Sequence, residues 1–153
     1  GDLRLKDQSK PPVYLAVFLD SKSRAALAHE YGYAHHKALS DHMTITTEVD
    51  SSDLQLVGTS VSIRVTGYYE DDKVQVVRVV PSLDVVRGRT PHVTMSVAEG
   101  TPPAQAATLV DKATPVRGPL LSGIIDTFPR SLRQASASAS RVASLHLQVD
   151  NKR

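Results

Sequence analysis

The sequence predicts one α+β domain rich in strands, and three observations predict it. The chain has 153 residues, of which 41% are hydrophobic and 22% charged, the length and balance of one globular domain. Three stretches, His42–Glu48, Ser60–Tyr68 and His92–Val97, alternate along the chain with the period of two expected of strands. Two others place helix formers between a capping residue and a breaker.

The elements follow in order. Residues 1–12 are polar, end in Pro11-Pro12 and read as a lead-in, because proline donates no ladder hydrogen bond. Val13–Leu19 (VYLAVFL) is an unbroken apolar run of strand length, suited to a strand covered on both faces. Asp20 or Ser21 can cap the helix SRAALAHEY, and Gly32 ends it. Tyr33–Asp41 reads as a loop. In His42–Glu48, His42, Thr44 and Thr46 share one face while Met43, Ile45 and Thr47 share the other. Ser51-Ser52-Asp53 marks a turn. Ser60–Tyr68 and Lys73–Val80 form a hairpin about Asp71-Asp72. Pro81–Thr90 is a loop, and His92–Val97 (HVTMSV) repeats the earlier alternation. Thr101 can cap a helix with Pro102 at its first position, running to about Lys112. Pro115, Gly118 and Pro119 break the chain before a strand over Leu120–Thr127. The domain therefore spans 13–130. Beyond it, 131–153 is a low-complexity segment carrying SASASAS, with Leu145, Leu147 and Val149 as a candidate edge strand.

Composition excludes several classes of function. There is no cysteine, so disulfide scaffolds, thiol nucleophiles and zinc fingers are ruled out. No apolar run reaches membrane-spanning length, so no membrane partner is expected. Eighteen basic and sixteen acidic side chains give a formal charge of +2, too even to make a duplex-binding surface, so any nucleic-acid contact must be a local site. The chain starts at Gly1-Asp2 without methionine and shows no charged segment leading into an apolar one. It is expected to be either an excised segment of a longer chain or one that begins with a tag remnant, and to be intracellular, cytoplasmic or nuclear.

One short pattern occurs twice. His42-Met43-Thr44-Ile45-Thr46 and His92-Val93-Thr94-Met95-Ser96 share His-x-Thr-x-hydroxyl with an apolar residue at each x. On a strand the histidine and both hydroxyls fall on one face and the intervening residues point into a core. Two such strands side by side bring two imidazoles and several hydroxyls to one cleft. That set suits phosphodiester cleavage. Imidazole can take or give a proton near neutral pH, and threonine hydroxyls can donate to non-bridging phosphate oxygens as charge builds. No carboxylate cluster suggests a metal, and no cofactor is expected. A single His-x-Thr carries little weight, but two copies in matching strand contexts carry more.

Other residues are weaker candidates. Arg87 and Arg89 precede the second motif, and their guanidinium forks suit phosphate. Tyr33, Tyr68, Tyr69 and Phe128 could stack on a base or serve in packing. Thr46 and Ser96 share the motif face and are candidate substrate contacts. His29, His35 and His36 cluster near a helix end, where positive side chains are favoured. They and His146 read as solvated groups, not metal ligands.

The paired motifs resemble those of the two-histidine (2H) phosphoesterase superfamily, over most of residues 13–128. PHVTM and PLLSGIIDTF look most like the cyclic phosphodiesterase domain of tRNA ligases and RNA-repair proteins. The resemblance implies a bilobal fold in which two antiparallel-type sheets line a central cleft, helices pack outside and each lobe holds one motif strand. It implies metal-independent hydrolysis of RNA or nucleotide 2′,3′-cyclic phosphates to 2′-phosphates, in RNA repair or tRNA splicing, with other RNA-processing domains attached. His42 and His92 would be the catalytic pair, Thr44 and Thr94 would hold the phosphate, and Arg89, Thr46 and Ser96 would be further substrate contacts. By the same analogy His92 would be the base and His42 the acid, though the sequence itself does not order these roles. Two rivals stay open: a catalytically silent nucleotide- or RNA-end-binding module of the same fold, and an interaction domain in which the repeat is coincidental.

Overall fold

The computed structural model describes residues 14–129. The lead-in at 1–12 and the low-complexity segment with its candidate edge strand at 131–153 lie outside them. The chain runs β1 (Tyr14–Leu19), α1 (Ser21–Tyr31), β2 (Lys37–Ala38), β3 (His42–Thr46), β4 (Ser60–Glu70), β5 (Val74–Pro81), β6 (His92–Val97), α2 (Ala106–Leu109), β7 (Thr114–Pro115) and β8 (Leu120–Phe128). All strands belong to one sheet, ordered β2-β6-β3-β1-β8-β4-β5, with β7 on β4. A further pairing joins β5 to β6, which closes the circuit β6-β3-β1-β8-β4-β5. The protein is thus a six-stranded antiparallel barrel.

This corrects the expected bilobal α+β fold. The described residues form one sheet in place of two lining a central cleft, because the two motif strands pair directly with one another and the sheet seals on itself. Helices contribute little. The expected second helix breaks into a 3-10 turn at Pro103–Gln105, the four-residue α2 and a second 3-10 turn at Val110–Lys112, and no side chain caps it. Consecutive prolines at 102 and 103 withhold two amide donors from its start.

Alternation fills the barrel. Leu15, Val17 and Leu19 of β1, Met43 and Ile45 of β3, Val61, Ile63 and Val65 of β4, Val77 and Val79 of β5, Val93 and Met95 of β6, and Leu121 and Ile125 of β8 form one core. Register shifts at Leu15/Ala16, Val65/Gly67 and Gln75/Val76 let the strands bend into closure. Gly123 allows β1 and β8 to approach, since a Cβ there would lie 2.4 Å from the Phe18 carbonyl oxygen.

Helix α1 starts where the sequence predicts. The Asp20 carboxylate accepts from the Ser23 amide at 2.8 Å, and Gly32 ends the helix at φ 67°, a left-handed conformation that favours glycine. Helix α1 commits the buried Leu27 to the barrel core and packs the half-buried Tyr31 against it. A second cluster, built on Val74, Val76, Val97, Ala106 and Val110, holds α2 and its flanking turns against β5 and β6. No helix among the described residues is long and apolar enough to cross a membrane.

Candidate functional site

Because Met43, Ile45, Val93 and Met95 enter the core, their neighbours in the two motifs face the other way. There His42, Thr44, His92 and Thr94 line one cavity of about 830 Å³. Strands β3 and β6 are antiparallel and pair at Met43↔Val93. One residue to either side, that register sets His42 opposite Thr94 and Thr44 opposite His92. Each histidine thus faces the other motif's threonine, and the two imidazoles lie on a diagonal. Diagonal neighbours on a sheet stand about 7–8 Å apart at the backbone, a span over which two rings can reach one phosphate.

The walls come from elsewhere in the chain. Thr47 and the segment Gly88, Arg89 and Thr90 line the cavity, as do Pro103, Ala104, Ala107, Thr108 and Asp111. The second cluster, through Ala106 and Val110, holds the segment around Ala104–Asp111 against β5 and β6. Arg89 brings a cation whose Nε is buried with no protein partner. A buried donor left unmatched costs free energy unless something fills the site.

The two imidazoles are held by unlike partners. His42 Nδ1 lies 2.9 Å from Asp41 Oδ1, and His92 Nδ1 lies 2.8 Å from the Thr90 carbonyl oxygen. An ionised carboxylate and a carbonyl can only accept, so both rings carry their Nδ1 proton. Nε2 is left in each ring to take or give a proton. The hydrogen bond from His42 holds the Asp41 carboxyl below its usual range despite burial. His92 is only 8% exposed. Desolvation lowers its pKa, the bond to Thr90 opposes this, and the charges of Arg89 and His42 add to the lowering. Thr90 is itself anchored, its hydroxyl donating to Asp111 at 2.7 Å.

Aromatic rings brace His42. Tyr14 stacks on it with centroids 5.3 Å apart, and Phe18 meets it tilted at 5.7 Å. Between these two, on the same face of β1, sits the fully buried Ala16, paired with Thr44. Phe128 stacks on the far side of Tyr14. Burial and the Asp41 charge raise the Tyr14 pKa, so its hydroxyl stays protonated.

Several candidates fall elsewhere. Thr46 and Ser96 do not line the cavity. Thr46 Oγ1 accepts from the Glu48 amide at 3.0 Å and ends β3. Ser96 Oγ donates to Gln75 at 2.6 Å and accepts from the His35 amide. Arg87 is taken up by Asp53, at 2.8 and 2.9 Å. Tyr33 bonds Ser40, Tyr68 stacks on Tyr31 and Tyr69 bonds Asp71. Among the described residues no three such side chains converge as a metal centre, and His35 Nε2 bonds the Asp71 carbonyl instead. His146 lies outside the described residues.

Sequence reasoning passed over Tyr14, Asp41, Thr90 and Asp111. Asp41 directly precedes His42, and alternation assigns neighbours to opposite faces. Asp41 escapes that rule because it lies before β3 begins. Tyr14 was absorbed into an apolar run that read as core alone. Comparison of the sequence with family models and with curated proteins gives no match.

Proposed function

We propose that the protein is a metal-independent 2′,3′-cyclic phosphodiesterase acting on RNA ends or nucleotides, in the setting of RNA repair or tRNA splicing. The single observation that supports it most is the shared cavity: two His-x-Thr segments fifty residues apart (92 − 42) present their imidazoles and hydroxyls to it together. Arg89, with its unmatched Nε in the same cavity, adds a cation suited to phosphate.

The proposed reaction uses each group once. Water attacks phosphorus while His92 Nε2 takes its proton. Burial keeps this ring neutral and ready to accept. The bond from phosphorus to O3′ breaks, and His42 Nε2 gives its proton to O3′. Thr44 and Thr94 hydroxyls donate to the non-bridging oxygens, and Arg89 offsets the charge that builds there. A 2′-phosphate is released, and proton exchange with solvent resets both rings.

The test is an RNA oligonucleotide ending in a 2′,3′-cyclic phosphate, incubated with the protein in excess EDTA and resolved from its 2′- and 3′-phosphate products. Conversion to the 2′-phosphate is expected. An intact cyclic end overturns the reading, and loss of activity in EDTA overturns its metal independence. Tight binding of the cyclic end without turnover would identify the silent end-binding module instead.

A further inference from the structure

His42 is the more exposed of the two paired rings. Its side chain is 28% accessible, and its Nδ1 partner is a carboxylate, itself 48% accessible. His92 is almost enclosed and bonded to a neutral carbonyl. Ring stacking fixes the plane of His42 but not which nitrogen carries the proton, because both edges of the ring lie in that plane. The bond to Asp41 makes that choice.

Resting on the cyclic-phosphodiesterase reading, we propose that Asp41 is a positioning residue for His42: its carboxylate accepts the Nδ1 proton, points Nε2 at the leaving oxygen and supports the imidazolium that delivers the proton there. The asymmetry divides the work. Burial favours the neutral ring at His92, against the pull of its bond to the Thr90 carbonyl, which suits that ring to accept the proton and leaves delivery to the ring held by Asp41. As the acid of the proposed step, His42 donates from Nε2. It loses the Nε2 proton to O3′ as the P–O3′ bond breaks, and retains the Nδ1–H bond to Asp41. His92 gains the proton that water gives up, so protons balance across the pair.

The charged and titratable groups around the dyad fit this arrangement. Tyr14 from β1 is neutral, its pKa raised first by burial and then by the Asp41 charge. Arg24 from α1 acts on Asp41 and helps keep it ionised. His92, Arg89 and Asp111 line the same cavity, and Asp111 accepts from the Thr90 hydroxyl. Among the described residues, the His42 ring donates its hydrogen bond from Nδ1 to Asp41.

The test uses Asp41→Asn, Asp41→Ala and Asp41→Glu in the whole chain. Asparagine keeps an acceptor without the charge, alanine removes both, and glutamate restores the charge on a longer stem. With a nucleoside 2′,3′-cyclic phosphate, the Asn and Ala variants are expected to lose about tenfold to a hundredfold in kcat with KM within about twofold, and Glu to recover part of it. The second readout needs no substrate. In ¹⁵N NMR the neutral His42 ring is expected to be the Nδ1–H tautomer in wild type and Asn, and to move toward Nε2–H in Ala. An unchanged tautomer in the Ala variant, or kcat within twofold of wild type in both Asn and Ala, overturns the proposal. An inert wild type that still shows the tautomer change overturns the hydrolase reading, and proton delivery with it, while leaving the hold of Asp41 on the ring established.

Discussion

At His92, burial disfavours the imidazolium, and the charges of Arg89 and His42 add to it, against the single opposing bond to Thr90. Its pKa therefore lies below the ordinary value of about 6.5. A general base works in its neutral form, so the acidic limb of the kcat/KM profile is expected below pH 6.5, and turnover should persist into mildly acid solution. An acidic limb above 6.5 would contradict the assignment. The same shift acts on folding. The unfolded chain takes up a proton on this histidine near pH 6.5 while the folded chain still resists, so stability contributed by neutral His92 falls as pH drops from there toward its folded pKa. His42→Ala and His92→Ala should each lower turnover by about 10²–10⁴-fold, the usual weight of one proton transfer. Thr44→Ala and Thr94→Ala should cost less, because each removes one hydrogen bond to an oxyanion that keeps its other donors. The repeated His-x-Thr made these four side chains legible. Asp41, Thr90 and Tyr14 were not, because what defines them is a contact made across strands or around a strand's end, and period two is silent about both.

Strand β1 links the barrel's interior to its site. Its inward side chains fill the core, while Tyr14 and Phe18 on the outward face hold the His42 ring. Its placement against β8 depends on Gly123, paired with Leu19. A Cβ at Gly123 would meet the Phe18 carbonyl oxygen at 2.4 Å and Val17 Cγ1 at 2.7 Å, and a backbone atom cannot step aside as a flexible side chain does. Gly123→Ala is therefore expected to cost about 1–3 kcal/mol, read by urea unfolding, and to lower kcat by displacing Phe18. Unchanged stability would mean the strands separate freely at that point. The loop before β6 is fixed in another way. Arg87 fastens it to Asp53, whose carboxylate is 3% exposed and held well below the usual carboxylate range, first by Arg87 and then by the Asp50 amide. A lowered carboxylate pKa contributes stability above the unfolded value of about 3.9 and loses it as pH falls toward the folded one. Asp53→Asn should thus lower the melting temperature at pH 6. The gap to wild type should narrow as pH falls below about 4, as differential scanning calorimetry can measure.

Across the whole molecule, several pairings of the barrel join segments far apart in sequence. β1 meets β8, β4 meets β8, and β3 meets β6, and the seam between the consecutive strands β5 and β6 then closes the ring. Alternation in VSIRV or HMTIT specifies a strand with one apolar face, and that pattern is shared by open sheets, sandwiches and barrels. The six barrel strands, the first helix and the hairpin about Asp71-Asp72 were therefore legible, whereas closure was not, and two lobes were expected in place of one ring. The two-residue strands β2, inside the expected loop Tyr33–Asp41, and β7, at the expected break, were not legible either, being too short to show alternation. The difference has a thermodynamic consequence. Two lobes have two cores and can lose them separately, but here one core draws on β1, β3, β4, β5, β6 and β8 together. Leu121 sits in that core at 1% exposure and is not among the cavity residues. Leu121→Ala is expected to destabilise the fold by about 2–5 kcal/mol through lost burial and the space left behind. It should lower the urea midpoint while leaving the m-value unchanged. Tyrosine fluorescence, which reports on Tyr14 beside the site and on Tyr31 and Tyr68, should trace the same single transition as far-ultraviolet circular dichroism. Below that transition, activity per folded molecule should match wild type. A biphasic curve, or fluorescence lost before the sheet signal, would mean that the site's half of the barrel unfolds independently, and the closed ring would then not be the cooperative unit.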